Sequence, residues 1–134
     1  MLGVSWQLAA IEAYLVLVAL LVGSFINLAA DRVPRGESLL RPRSHCRSCG
    51  RVLNAVDLIP VAGYMIRGGR CATCRVPIGG ASPLIEAICG GCMAAALVWL
   101  GPWMGFAVGS LLIAGIGAAV VRVNVAKSRR AAEV

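Results

Sequence analysis

Three long apolar runs, residues 8–30, 84–100 and 103–121, constrain the fold of this chain more than any other feature. A helix needs about 20 apolar residues to cross the hydrocarbon core of a bilayer, and each run is close to that length. Hydrophobic residues make up 59% of the 134 residues and charged residues only 14%, whereas soluble domains have about 25% charged residues. The sequence therefore predicts an α-helical membrane protein with three transmembrane helices.

Turn-forming and capping residues set the predicted limits of these helices. Ser82-Pro83 suits the N-cap and the first position of a helix. Gly101-Pro102 leaves room only for a tight antiparallel turn. The predicted segments are helices over 8–30, 82–100 and 103–121, a loop domain over 31–81 and a basic tail over 122–134.

The basic residues lie on one side of this arrangement. The nine basic residues of the loop are arginines between Arg32 and Arg75, and the other four lie between Arg122 and Arg130. Lys and Arg collect on the cytoplasmic side, next to anionic lipid headgroups. We therefore expect a multi-pass protein of the inner (cytoplasmic) membrane, with its N-terminus outside and its loop and C-terminus inside. Aromatic residues are few and are not interleaved with these charges, so the net charge of +7 indicates the lipid bilayer as a partner and no nucleic acid.

The loop domain contains two Cys-x-x-Cys pairs, Cys46/Cys49 and Cys71/Cys74, with 21 residues between them. Two residues between the thiols of a pair place both sulfur atoms on one side of a tight turn, here called a knuckle. Gly50, directly after the first pair, can take the positive φ that such a turn often needs. Four thiolates in two such pairs form the closed tetrahedral site of structural zinc. We predict one structural Zn²⁺, with iron as the competing metal, since four sulfur ligands suit both. His45 adjoins the first pair, but four sulfur atoms already fill the coordination shell.

A metal would also supply stability that this loop lacks. A segment of about 50 residues has little core of its own, and zinc binding contributes on the order of 10 kcal/mol to the folding of small domains. Thiols stay reduced on the cytoplasmic side, which argues against disulfides. The apolar link 58–66 between the pairs is too short to span a membrane, so we expect it to pack on the knuckles or to lie on the membrane surface.

A third Cys-x-x-Cys pair, Cys89 and Cys92, lies inside the second predicted helix. Residues three apart share one face of a helix, and a free Cys behaves as a small apolar residue. Helix packing is therefore the preferred interpretation of this pair, and a functional thiol pair is the alternative.

Six short motifs follow one another from the end of the first predicted helix to the start of the second. They are Gly23-Ser24-Phe25-Ile26-Asn27, Arg32-Val33-Pro34-Arg35-Gly36-Glu37-Ser38, Arg41-Pro42-Arg43-Ser44-His45-Cys46, Asp57-Leu58-Ile59-Pro60, Arg67-Gly68-Gly69-Arg70-Cys71 and Pro83-Leu84-Ile85-Glu86. In residue sequence and in order, these motifs resemble the N-terminal part of prepilin peptidases, the bifunctional type IV leader peptidases and N-methyltransferases of the A24 family. The resemblance covers about residues 15–100 and implies a bacterial membrane protein. Within these motifs, the candidates for contact with a partner are Arg41, Arg43, Arg67, Arg70 and Glu86.

The peptidases that this chain resembles need two aspartates near the cytosolic membrane face, one of them in a later Gly-x-Gly-Asp motif. Paired carboxylates suit this work because one accepts a proton from water while the other donates one to the scissile amide. This chain has two aspartates, Asp31 at the end of the first helix and Asp57 in the loop. The position expected for the first catalytic aspartate falls at about 122–124, which lacks a carboxylate, and Glu12 and Glu133 are predicted on opposite sides of the membrane. The resemblance is thus to a truncated N-terminal domain without the catalytic pair.

Three functions are compatible with these motifs. The first is a non-catalytic accessory or scaffold subunit, which binds a membrane-protein partner or a larger complex, such as a pilus or secretion component. The second is one half of a split prepilin peptidase whose catalytic half is another chain. The third is N-methyl transfer from S-adenosylmethionine, for which the sequence offers no glycine-rich cofactor motif.

Overall fold

The computed structural model describes residues 2–132, with side chains for residues 5–131. Glu133, named above, lies outside the described residues. The helices are α1 (Leu2–Arg32), α2 (Ala62–Ile66) and α3 (Ala81–Ala132), and short 3₁₀ turns cover Val33–Arg35 and Val56–Leu58. The prediction of a mostly helical protein is confirmed.

Gly101 divides α3 into two antiparallel arms, 81–100 and 102–132. Its φ of 76° and ψ of 174° are not helical. A Cβ atom at Gly105 would lie 2.6 Å from the carbonyl oxygen of Ala96. A continuous helix would separate two residues nine positions apart by about 13 Å, so the chain must fold back on itself. The tight turn predicted at this glycine is therefore present.

Two segments, Ser5–Arg35 and Ala81–Ala131, are each long and apolar enough to cross a membrane. The second segment has 51 residues and includes both arms of α3, whereas one crossing takes about 20 residues. Separate second and third crossings remain a prediction. The second arm continues through residues 122–132, so the described part of the predicted basic tail is helical.

Helix α1 packs against both arms of α3 through small residues. A Cβ atom at Gly23 would lie 2.8 Å from the Cα atom of Glu86, and one at Gly117 would lie 3.2 Å from the side chain of Ile26. Glycine lets helices approach this closely because it has no side chain. The buried apolar residues of these contacts are Ala19, Ile26, Cys89, Met93, Leu97 and Ile113.

Cys89 is fully buried in this core, and its Cβ atom lies 3.2 Å from the Cβ position of Gly23. Cys92, one turn later, is half-buried, and both thiols are free. This location is consistent with the packing interpretation of the pair, since a cysteine takes little space between close helices.

Candidate metal centre

The first knuckle is closed by a pair of backbone hydrogen bonds. The N–H of Cys46 donates to the carbonyl of Arg51, and the N–H of Gly50 donates to the carbonyl of Cys46, both at 2.8 Å. Gly50 has a φ of 71°, which glycine adopts without steric cost. The chain therefore reverses directly after Cys49, as the position of this glycine predicts.

The second knuckle repeats this pattern 25 positions later along the chain. The N–H of Cys71 donates to the carbonyl of Val76 at 2.9 Å, and the N–H of Arg75 donates to the carbonyl of Cys71 at 3.1 Å. Arg75 occupies the position equivalent to Gly50 and also has a positive φ, 58°. The two knuckles thus present their thiols in the same way, although only one of them has a glycine at the turn.

The structure brings the four predicted sulfur ligands together. The Sγ atoms of Cys46, Cys49, Cys71 and Cys74 all lie within 4.8 Å of one another. Across the two knuckles, Cys46 Sγ is 3.8 Å from Cys74 Sγ, and Cys49 Sγ is 3.9 Å from Cys71 Sγ. A tetrahedron with zinc–sulfur bonds of about 2.3 Å has edges of about 3.8 Å. The donor set and its spacing therefore fit a tetrahedral metal ion.

Backbone amides already favour the thiolate form in part of the cluster. The N–H of Thr73 points at the sulfur of Cys71 and is the largest contribution that lowers its pKa, to about 6. In the same way, the N–H of Cys49 lowers the pKa of Cys46. The N–H of Arg51 lowers the pKa of Cys49, but desolvation and the neighbouring sulfur atoms outweigh it and raise that pKa to about 11. A bound cation would remove this conflict, because metal ligation deprotonates a coordinating thiol.

His45 remains outside the sulfur cluster. Its side chain is exposed, and its Nδ1 lies 2.9 Å from the carbonyl oxygen of Arg43. Among the described residues, the group able to hold a metal consists of the four cysteines. The expectation that histidine is a neighbour of the site and not a ligand agrees with this geometry.

Asp57, directly before the link, connects the end of the first knuckle to the segment that leads into the second. Its carboxylate accepts hydrogen bonds from Arg51 at 2.6 Å and from Arg67 at 2.7 Å, and its side chain is only 7% exposed. Burial opposes its ionisation, but the N–H of Asn54 and the two guanidinium groups outweigh it and lower the pKa of Asp57. Arg67, predicted to contact a partner, thus has a partner within the loop domain.

Glu86 connects the loop domain to α3. One carboxylate oxygen accepts the backbone N–H of Val61 at 2.7 Å, and the other accepts the hydroxyl of Ser82 at 3.0 Å. Glu86 is only 6% exposed. Val61 stands directly before α2 with a φ of 58°, unusual for a β-branched residue. Glu86 was predicted to contact a partner, and the structure places its carboxylate against this strained residue of the link.

A second connection joins the first knuckle to α1. The carboxylate of Asp31 accepts hydrogen bonds from Arg35 and Arg47. Glu37 extends the network, at 3.3 Å from Arg35 and 3.6 Å from Arg47. These side chains are 42–57% exposed, so the network orients the knuckle more than it stabilises it.

Arg32 is a structural residue that is not among the site residues predicted from the sequence. It is 6% exposed at the end of α1, and it donates to the carbonyls of Ser38 at 2.7 Å and Pro42 at 2.8 Å. Its guanidinium group thereby fixes the path of the chain towards the first knuckle. Its place in the Arg-x-Pro-Arg-Gly-Glu-Ser motif was the available signal.

The remaining predicted partner contacts are exposed arginines of the loop domain. Arg41 and Arg70 line a cavity of about 600 Å³ between the loop domain, α1 and the start of α3. Arg43 lies outside the lining of this cavity, on the exposed surface. The structure therefore separates Arg43 from Arg41 and Arg70, and the partner contacts of all three remain predictions.

Comparison with known proteins places this geometry in a family. Residues 17–100 match the bacterial peptidase A24 N-terminal domain. A prepilin leader peptidase/N-methyltransferase of Myxococcus xanthus is 42% identical over 77 residues, covering 58% of this chain and 23% of the relative. One of Burkholderia pseudomallei (strain K96243) is 36% identical over 115 residues, covering 67% of this chain and 37% of the relative. A type 4 prepilin-like proteins leader peptide-processing enzyme of Escherichia coli is 31% identical over 123 residues, covering 76% of this chain and 45% of the relative.

The chain thus spans less than half the length of these relatives. No solved structure matches it. The matched region contains the second half of α1, the whole loop domain and the first arm of α3. All four cysteines of the candidate metal centre lie within it.

Proposed function

This chain belongs to the bacterial peptidase A24 N-terminal domain family, as its motifs predict, and from this membership we propose that it supplies the membrane-embedded, metal-binding part of a prepilin leader peptidase/N-methyltransferase. The observation that carries the proposal is the match over residues 17–100, which surrounds the four-cysteine cluster. The catalytic carboxylates would come from protein outside these 134 residues. The substrates would be type IV pilin-like proteins, whose leader the assembled enzyme removes.

The proposed metal is one structural Zn²⁺ bound by Cys46, Cys49, Cys71 and Cys74. Four sulfur ligands leave no open coordination position, so the ion would supply folding free energy and would not contact substrate. The spacing of the sulfur atoms supports this role. Iron is the competing ion, because the same donor set suits it.

The proposed location is the bacterial inner membrane, with three crossings and the loop domain on the cytoplasmic side. The fold-back of α3 at Gly101 supports a second and a third crossing. The position of the arginines in the loop and of the basic residues after 121 supports the orientation.

The test is leader removal by two chains. We would express this chain with a helical membrane protein carrying a Gly-x-Gly-Asp motif from a neighbouring gene, in cells without another prepilin peptidase. Mass spectrometry then follows a type IV pilin-like protein. Leader removal that needs both chains, and that is lost with Cys49→Ser, supports the proposal. Cleavage by the second protein alone argues against the proposal, and so does the absence of cleavage when both chains are present. A genome without such a gene also argues against it.

An accessory subunit without catalytic activity is the second candidate. The observation in its favour is that every carboxylate lining the cavity under the loop domain already has a partner. Asp31, Glu37 and Asp57 contact arginines, and Glu86 bonds to Val61. The two arginines beside Asp57 help to lower its pKa, so this carboxylate stays ionised and is a poor general acid. This candidate predicts a stable partner after purification in mild detergent, and a monodisperse, partner-free protein would contradict it.

A further inference from the structure

The cavity between the loop domain, α1 and the start of α3 has more positive than negative groups. Six arginines and four carboxylates line it. The arginines are Arg32, Arg41, Arg47, Arg51, Arg67 and Arg70, and the carboxylates are those of Asp31, Glu37, Asp57 and Glu86. With a volume of about 600 Å³, it falls in the size range of ligand sites.

Three of these arginines, Arg32, Arg41 and Arg70, have no carboxylate partner within the described part of the chain, and the guanidinium group of Arg32 already donates to two backbone carbonyls. Arg47 is paired with Asp31, and Arg51 and Arg67 share Asp57. Arg41 and Arg70 are exposed and form no salt bridge among residues 5–131, although Arg70 donates a long 3.5 Å bond to a backbone carbonyl. These two guanidinium groups are therefore available to an anion.

The rest of the lining is apolar or uncharged, and part of it belongs to a membrane-crossing helix. Ser24, Asn27 and Leu28 of α1 lie within the segment that can cross a membrane. The loop domain adds Leu58, Ile59 and Ile78. A ligand that satisfies this site therefore carries a negative charge next to an apolar part.

We propose that this cavity binds the phosphate group of an anionic phospholipid of the inner leaflet. Arg41 and Arg70 hold the phosphate, and the first carbons of the acyl chains lie against Leu28 and the apolar residues of the link. Basic pockets between membrane helices on the cytoplasmic side favour such headgroups. The proposal rests on the membrane location proposed above, and it is independent of any catalytic partner.

The test compares two double variants of equal charge in the full chain. Arg41→Gln/Arg70→Gln removes the free cations of the cavity, and Arg43→Gln/Arg75→Gln removes two exposed arginines of the same loop that do not line it. Each protein is purified with its metal content measured and is reconstituted in nanodiscs of phosphatidylcholine containing phosphatidylglycerol. Native mass spectrometry counts the phosphatidylglycerol molecules that stay bound.

The expected result is that the cavity variant binds phosphatidylglycerol about 25-fold more weakly than the wild type, since each interfacial arginine contributes about a fivefold change. The control variant should stay within about twofold of the wild type, because generic surface attraction is shared by many charges. Equal retention by the two variants would overturn the proposal. Displacement of the lipid by glycerol phosphate at the same concentration would also overturn it, because a free phosphate would then suffice. Neither readout involves peptidase activity, so failure here is distinct from failure of the proposed function.

Discussion

The backbone N–H of Val61 donates a 2.7 Å hydrogen bond to Oε2 of Glu86, across 25 positions of sequence. This bond joins the link between the two knuckles to the first turns of α3. The donor belongs to a residue with a φ of 58°, so the bond stabilises a backbone conformation that costs free energy. Glu86 is therefore a structural residue of the interface between the loop domain and the helices.

Replacing Glu86 tests this connection. Glu86→Ala leaves the N–H of Val61 without an acceptor and should lower the stability of the loop domain by about 1–3 kcal/mol. Glu86→Gln retains an acceptor oxygen at nearly the same position and should lose less. Hydrogen exchange of the amides in residues 56–66 measures both effects. Exchange in Glu86→Ala as slow as in the wild type would show that the bond contributes nothing.

Removal of one thiol tests the metal centre. Cys49 is exposed, so Cys49→Ser changes the ligand set with little effect on packing. We expect the metal content to fall from about one ion per chain to nearly none, and the loop to become sensitive to protease, because metal binding supplies order 10 kcal/mol of folding free energy. Cys92→Ser is the matched control and should retain the metal. Full metal content in Cys49→Ser would refute the assignment.

The two aspartates should differ in their contributions to stability. Asp57→Asn weakens two bonds to partly buried arginines and should cost about 3 kcal/mol. Asp31→Asn weakens an exposed network, in which such pairs contribute less than about 1 kcal/mol. The urea concentration at which each variant releases its metal compares them. If Asp31→Asn were the more damaging substitution, the proposed role of Asp57 would be wrong.

Close packing of α1 on α3 depends on Gly23. A Cβ atom in Gly23→Ala would lie 2.8 Å from the Cα of Glu86, so the helices must separate, at a cost of about 1–3 kcal/mol. Gly91→Ala places its Cβ in open space and should be neutral or slightly stabilising, because alanine favours a helix. Thermal unfolding in detergent checks both. A Gly23→Ala protein as stable as wild type would mean that the contact is looser than described.

The features that sequence alone predicted are those set by local chemistry. Two residues between thiols fix a knuckle, and Gly50 marks its turn, so the cluster of four cysteines could be predicted. The fold-back at Gly101 has the same origin, since the chain reverses at a glycine followed by proline. Helix formation by long apolar runs is equally local, because composition over about 20 residues determines it.

The bonds that position the cluster could not be predicted in this way. Asp57 pairs with Arg51 and Arg67, and Glu86 with Val61, through contacts between residues six to 25 positions apart. Such pairings depend on how the loop folds back, which motif spacing does not encode. The motifs marked Arg67 and Glu86 only as candidates for contact with an external partner, and the structure adds an internal contact for each.

The loop domain is bonded to α1 through Arg47 and Asp31 and to α3 through Val61 and Glu86. Because the loop domain is fixed to both helices, the distance between the helix ends and the affinity of the loop domain for a metal are coupled. Where metal binding favours a short distance between the helix ends, a force that separates these ends weakens metal binding. By thermodynamic reciprocity the two effects have the same coupling free energy. In the proposed membrane location, the thickness of the bilayer should then affect how tightly the four cysteines bind a metal ion.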